Sequence, residues 1–295
     1  MASMKPVIAA APPPSTTIFR DDIFKNKVLF CTGGGSGICK SMTEAIMRHG
    51  ASAAIVGRKL DRLEATAKEL SAATGQRCIA AQADVRSPEQ LKAAVAKTVE
   101  TFGKIDFVIC GAAGNFLAPI SGLSENAFRT VIEIDTLGTF NTVKATLAQI
   151  RETQGSYIHV SALLHRQGTP YQAHVSAAKA GVDALSAVIA VEEGPRGIRS
   201  NVIAPGPIGD TEGMERLTAT DANVRMADYI PLGRMGDKRD IANMALFLFS
   251  DAANWVTGQV MAVDGGNEHL RTTQLPYPMS VLDPEGMAKA IKGRL

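Results

Sequence analysis

Thr32-Gly33-Gly34-Gly35-Ser36-Gly37-Ile38-Cys39 follows the apolar run Val28 to Cys31 and leads into a helix-like stretch from about Lys40 to His49. A glycine-rich turn between a strand and a helix lets backbone N–H groups approach a pyrophosphate, with the positive end of the helix dipole behind it. A glycine run alone also describes a flexible surface loop; the strand before it and the helix after it favour the dinucleotide reading. Gly33, Gly34, Gly35, Ser36, Gly37 and Ile38 are therefore the candidate cofactor-binding turn.

Working outward, short apolar or β-branched runs recur at Ala53 to Val56, Cys78 to Ala81, Phe107 to Cys110, Tyr157 to Val160, Ser200 to Ile203 and Val260 to Val263. Their separations are long enough for crossover helices, which implies a parallel sheet. The runs are mostly apolar on both faces, as expected when helices cover both sides. Ser87-Pro88-Glu89 reads as a helix N-cap, a first-turn proline and an acid, and Gly50 follows Arg48 and His49 as a stop. The expected fold class is α/β, a doubly wound parallel sheet of about seven strands in a single domain over residues 23–268. Residues 1–22 contain Pro12-Pro13-Pro14 followed by Ser-Thr-Thr and are expected as an extended N-terminal arm. Residues 269–295 form a C-terminal extension.

The tip of the second strand bears on which dinucleotide is bound. A carboxylate there would accept hydrogen bonds from the ribose hydroxyls of NAD, whereas the chain reads Val56-Gly57-Arg58-Lys59. An arginine donates a planar pair of charge-assisted bonds to a 2′-phosphate, which favours NADP(H). The plainer alternative makes Arg58 and Lys59 the solvated start of a helix. Asp84 and Val85, at the end of the third strand, are placed to cap the adenine ring.

The 31 basic and 29 acidic side chains leave a net charge of +2, without the basic excess of a nucleic-acid or anionic-lipid binder. Hydrophobic residues make up 45% and charged residues 20%, the balance of a globular protein rather than a disordered chain. No run of about 18 apolar residues reads as a membrane span, and no basic flank leads into an apolar signal core. The expectation is a soluble, intracellular protein without membrane insertion. Cys31, Cys39, Cys78 and Cys110 match neither a zinc ribbon nor a secreted disulfide framework and are expected as reduced thiols in or near strands. The five histidines include no H-E-x-x-H pair, and no metal site is expected.

Thr-Gly-x-x-x-Gly-Ile at 32–38, Ala113-Gly114, Lys179, Pro205-Gly206-Pro207-Ile208 with Thr211, and Val263-Asp264-Gly265-Gly266 resemble the short-chain dehydrogenase/reductase family in order and spacing. The resemblance implies a Rossmann-type fold and a homo-oligomer, tetramer or dimer. It also implies a nicotinamide cofactor touching Lys179, Pro205, Gly206, Ile208 and Thr211. Thr211 would contact the nicotinamide carboxamide, unless it is a helix N-cap. Cys39 departs from the family's third glycine, so the helix–sheet packing there must accept a small side chain.

That family pairs a tyrosine with a lysine four residues on, with a serine and an asparagine upstream, and the lysine lowers the phenol pKa for proton exchange. Here the tyrosine position is Val175, the serine position is Ala162 with Ser161 beside it, and the asparagine position is Asp135. Valine cannot donate a proton, which leaves a noncatalytic NADP(H)-binding protein or a reaction whose proton reaches carbon from another donor. Ala112-Ala113-Gly114-Asn115-Phe116, Leu123-Ser124-x-Asn126-Ala127-Phe128 and Ile134-Asp135-x-x-Gly138-Thr139-Phe140-Asn141 resemble the 2,4-dienoyl-CoA reductases, most closely their peroxisomal branch. That resemblance implies NADPH-dependent reduction of 2,4-dienoyl-CoA to 3-enoyl-CoA in β-oxidation of unsaturated fatty acids. Asp135 and Lys179 would be catalytic, the first organising a proton-delivering water and the second holding the nicotinamide ribose. A related reductase acting on another acyl-CoA or a carbonyl compound is the enzymatic alternative.

By the same resemblance Arg86 and Arg216 would meet the CoA moiety, and Phe116, Ser124 and Asn126 would contact the acyl-CoA. The plain alternatives are surface arginines, core packing for Phe116 and helix capping for Ser124. Gly293-Arg294-Leu295 resembles the Ser-Lys-Leu peroxisomal address in its basic and leucine positions, which makes the peroxisome the expected location.

Overall fold

A computed structural model describes residues 12–211, residues 226–270 and Leu282. Seven strands form where the apolar runs predict them: β1 (Val28–Thr32), β2 (Ser52–Gly57), β3 (Cys78–Gln82), β4 (Phe107–Cys110), β5 (Ser156–Val160), β6 (Arg199–Pro205) and β7 (Val260–Val263). All neighbours pair in parallel, in the order β3-β2-β1-β4-β5-β6-β7. The direction of winding reverses between β1 and β4, and that switch opens a crevice outside their carboxyl ends. β1, β4 and β5 are buried along their whole length, whereas β7 is partly exposed because it lies at the sheet edge.

Among the described residues the helices are α1 (Gly37–Arg48), α2 (Leu60–Thr74), α3 (Pro88–Phe102), α4 (Glu125–Ile132), α5 (Gly138–Thr153), α6 (Leu164–Gln167), α7 (Ala173–Glu193) and α8 (Lys238–Phe249). Ser87 Oγ accepts the N–H of Gln90 ahead of Pro88, as its position in the sequence predicts. Two cores sandwich the sheet. On one face Met42, Ile46, Leu246 and Phe249 cover Leu29, Ile55 and Ile109; on the other Leu91, Val95, Val143 and Ile150 cover Phe30, Val56 and Val108. Full burial of each such side chain is worth about 2 kcal/mol of transfer free energy, which is why alternate strand residues must point to opposite helical layers. The four cysteines are free and buried.

The N-terminal segment departs from the expected extended arm from Pro12 onward. Ser15–Thr17 is a single 3-10 turn, Phe19 meets the His49 ring edge-on with centroids 6.0 Å apart, and Phe24 is buried. The prolines exclude a regular helix or strand, but half-buried Phe19, with core residue Phe24 just after the segment, draws it onto the core. Residues 1–11 and nearly all of the extension after 270 lie outside the described residues.

Candidate active site

The glycine turn leaves β1 with Gly33 at φ +73° and its N–H donated to the Val56 carbonyl at 2.8 Å. A Cβ on Gly33 would meet the Gly111 carbonyl oxygen at 2.8 Å, so the loops after β1 and β4 approach more closely than a side chain permits. Thr32 Oγ1 binds the two together by accepting the N–H of Gly111 at 3.1 Å and donating to the Ile109 carbonyl. α1 then begins at Gly37, with φ +58° and open space where a side chain would stand. First-turn N–H groups and the positive dipole end thus border a cleft of about 540 Å³ lined by Gly33, Gly35, Ser36, Gly37 and Ile38. Gly34 does not line it; a Cβ there would strike Ile55 Cγ2 at 2.7 Å, which makes this glycine a packing requirement against β2.

At one end of the cleft lie Arg58, Lys59, Arg62, Asp84 and Val85. Arg62, in the first turn of α2, is the member that the strand-tip motif does not single out; its signal is its spacing of four from Arg58. Asp84 is not an isolated carboxylate: Arg86 Nη2 lies 2.6 Å from Oδ2 and Arg86 Nε donates to Oδ1 at 3.0 Å. That guanidinium holds the Asp84 carboxyl below its usual range. Glycines that leave room for phosphate, a helix N-terminus and a cationic rim are the donor set a dinucleotide requires, and the residues present fit one.

The other end is chemically distinct. Asp135 sits in a π-turn, Glu133–Leu137, wedged between α4 and α5, a local widening that often marks functional positions. Its Oδ1 accepts the Gly114 N–H at 2.8 Å. Its Oδ2 lies 2.9 Å from Lys179 Nζ, and that contact is an ion pair rather than a well-directed hydrogen bond. Lys179 also donates to the Val160 carbonyl at 2.9 Å. Both side chains are almost fully buried yet line the cleft beside Ser161, Ala162 and Val175. Pro205, Gly206, Ile208 and Thr211 close this end, with Thr211 Oγ1 donating to the Ile208 carbonyl at 3.0 Å.

The residues read as acyl-CoA contacts are not gathered on the same wall. Phe116 is 37% exposed and stacks on the buried His174, with ring centroids 4.2 Å apart. Ser124 caps α4 by accepting the Ala127 N–H, and it borders a separate apolar hollow with Ile120, Phe128 and Ile132. Asn126 is exposed in the first turn of α4, and Arg86 turns to Asp84. Arg216 lies outside the described residues.

A doubly wound sheet with a glycine cradle at its switch point and a buried lysine beside it defines a nicotinamide-dependent reductase of the short-chain type. Residues 33–268 match the family described as Enoyl-(Acyl carrier protein) reductase, and the chain belongs to that short-chain dehydrogenase/reductase family. The peroxisomal 2,4-dienoyl-CoA reductase, (3E)-enoyl-CoA-producing, of Saccharomyces cerevisiae is 49% identical over 280 residues, covering 94% of each chain. The protein of the same description from Danio rerio is 46% identical over 253 residues, 85% of this chain and 84% of its own. Among solved structures, a short chain dehydrogenase from Bacillus anthracis matches with a TM-score of 0.76 at 38% identity, covering 86% of this chain and 100% of that one.

Proposed function

We propose that the protein is an NADPH-dependent 2,4-dienoyl-CoA reductase that forms 3-enoyl-CoA during β-oxidation of unsaturated fatty acids in the peroxisome. The observation that carries this reading is the buried Asp135–Lys179 pair, 2.9 Å apart, with Val175 where the family's phenol would stand. Such a site has no side-chain acid for an alkoxide, and it suits a proton delivered to carbon. The names of the Saccharomyces cerevisiae and Danio rerio relatives support the substrate and the compartment.

Bound in the cleft, NADPH supplies the hydride that the δ-carbon of the conjugated thioester receives. Gly33, Gly35, Ser36, Gly37 and Ile38 hold its pyrophosphate, and Arg58 with Lys59 and Arg62 binds the 2′-phosphate. Asp84 and Val85 border the adenine, and Pro205, Gly206, Ile208 and Thr211 border the nicotinamide. Lys179 holds the ribose and supplies positive potential as charge develops on the thioester oxygen. Asp135, fixed by the Gly114 N–H, orients the water that protonates the α-carbon. Arg86, Phe116, Ser124 and Asn126 are assigned to the CoA ester, together with Arg216, which lies outside the described residues. Exposed Phe128, Leu137 and Phe140 around α4 and α5, and exposed Val191 and Trp255, support a homo-oligomer.

The decisive assay follows the dienoyl absorbance with NADPH, with NADH as the control. Rapid loss of the chromophore is expected. Turnover of carbonyl compounds alone, or cofactor binding without turnover, would overturn the assignment.

A further inference from the structure

Reduction of the diene consumes one solvent proton per turnover, yet the Asp135–Lys179 pair that organises its delivery is buried. We propose that His165, Asp183 and Ser161 form the route that returns this proton from solvent to the cleft; the proposal rests on the reductase reading above.

Asp183 lies on α7 one turn beyond Lys179, and its Oδ2 is 3.1 Å from His165 Nε2. The His165 side chain on α6 is 21% exposed and that of Asp183 13%, so the pair leads inward from the surface. Asp183 Oδ1 and His165 Nδ1 are both buried without a hydrogen-bond partner. Two unsatisfied atoms in one pair are costly for a purely structural bridge. Ser161 stands in the cleft wall, its backbone fixed by donation to the Ile203 carbonyl at 2.9 Å. Its hydroxyl makes only long bonds, 3.4 Å to the Lys179 carbonyl and 3.5 Å to that of Ala162, and Lys179 stands one helical turn before Asp183 on α7. A rotating hydroxyl there links Asp183 to the cleft. The charged groups facing Asp183 are His165 and Arg166 from α6 and Lys179 from its own helix; burial outweighs them and Ser161, and raises the carboxyl above its ordinary range. A carboxyl so placed takes up a proton more readily than an exposed one.

The balance is closed. Hydride from NADPH forms the C–H bond at the δ-carbon, and the water held by Asp135 gives its proton to the α-carbon, leaving hydroxide and NADP⁺. Ser161 protonates that hydroxide, Asp183 protonates Ser161, His165 protonates Asp183, and solvent restores His165. No relay member is consumed.

The test uses the full-length enzyme with NADPH and a 2,4-dienoyl-CoA, comparing Asp183→Asn and His165→Ala with wild type. Both variants should lower kcat about tenfold while leaving KM and NADPH affinity within about twofold. The solvent deuterium isotope effect on kcat should grow, that of deuterated NADPH should shrink, and added imidazole should restore His165→Ala. If Asp183→Asn fails to fold, the imidazole rescue still decides. Wild-type turnover in the variants, or a fall with an unchanged solvent isotope effect and no rescue, would make the pair a structural staple and overturn the route. Absence of dienoyl-CoA turnover in the wild type would instead refute the reductase reading, and this route with it.

Discussion

Cys39 Sγ occupies the space that a side chain on Gly111 would need: a Cβ added there would overlap the sulfur outright and come within 3.1 Å of the Thr32 carbonyl oxygen. The thiol stands 3.7 Å from the Gly111 carbonyl oxygen, at the position where the family has a third glycine. Room for α1 to approach the sheet therefore comes from the end of β4 rather than from the helix itself.

The reciprocity is measurable. Gly111→Ala should destabilise the fold by about 1–3 kcal/mol through overpacking. Adding Cys39→Gly should recover most of that loss, despite a cost of about 1 kcal/mol for glycine inside a helix. Urea denaturation of the double-mutant cycle reads the coupling, and strictly additive losses would rule it out.

Arg58→Asp should weaken NADPH far more than NADH, because it removes the guanidinium and sets a carboxylate opposite the 2′-phosphate. The lost charge-assisted bonds correspond to about 2 kcal/mol, roughly 30-fold in affinity. Titration of both cofactors checks this; equal losses would mean that Arg58 does not select.

Substitution at Asp135 has two separable outcomes. Asp135→Asn keeps an oxygen for the Gly114 N–H and should leave NADPH fluorescence binding close to wild type, while turnover falls about 10²- to 10⁴-fold. Both Asp135→Asn and Asp135→Ala leave the buried Lys179 ammonium without its carboxylate and should cost about 3–5 kcal/mol of stability, and Asp135→Ala also loses the Gly114 anchor. Near-normal turnover of the asparagine variant would remove Asp135 from the chemistry.

Val175→Tyr should not raise dienoyl-CoA reduction. Val175 is 3% exposed and packs with Val131 and Ala178, so the larger ring should cost about 1–3 kcal/mol and crowd the cleft. Thermal melts and turnover measure the two effects, and a large gain in rate would show that the proton donor has been misassigned.

His159 is fully buried, its Nε2 3.0 Å from Ser200 Oγ, and burial pushes its pKa down to about 4. The unfolded chain titrates near 6.5, so between the two values it holds more protons than the folded chain. Stability should therefore fall as pH drops from about 6.5 to about 4, by on the order of 3 kcal/mol, and level off below. His159→Gln should flatten this part of the profile. Urea midpoints at neutral pH and near pH 5 provide the comparison.

The legible part of the site was the part encoded by contiguous residues. Thr32 to Ile38 carries its own strand, turn and helix start, and Arg58 follows the next strand by a fixed offset, so both are read along the chain. Asp135 and Lys179 are each marked in the sequence only by their own place in a motif. Their 2.9 Å contact, the anchor on Gly114 and the partnership of His165 with Asp183 join segments that no local spacing relates.

Short apolar runs and the punctuation between them determined the seven strands and the winding of the sheet, because runs apolar on both faces and the handedness of crossovers leave few other arrangements. Tertiary structure alone decided which charged groups meet. Lys27 and Asp106 stand 79 residues apart in sequence, and only the folded chain brings the ammonium to the buried carboxylate. Phe19 and Phe24 folded back a segment whose prolines spoke for extension, because apolar burial is summed over the whole core and not over neighbours in sequence.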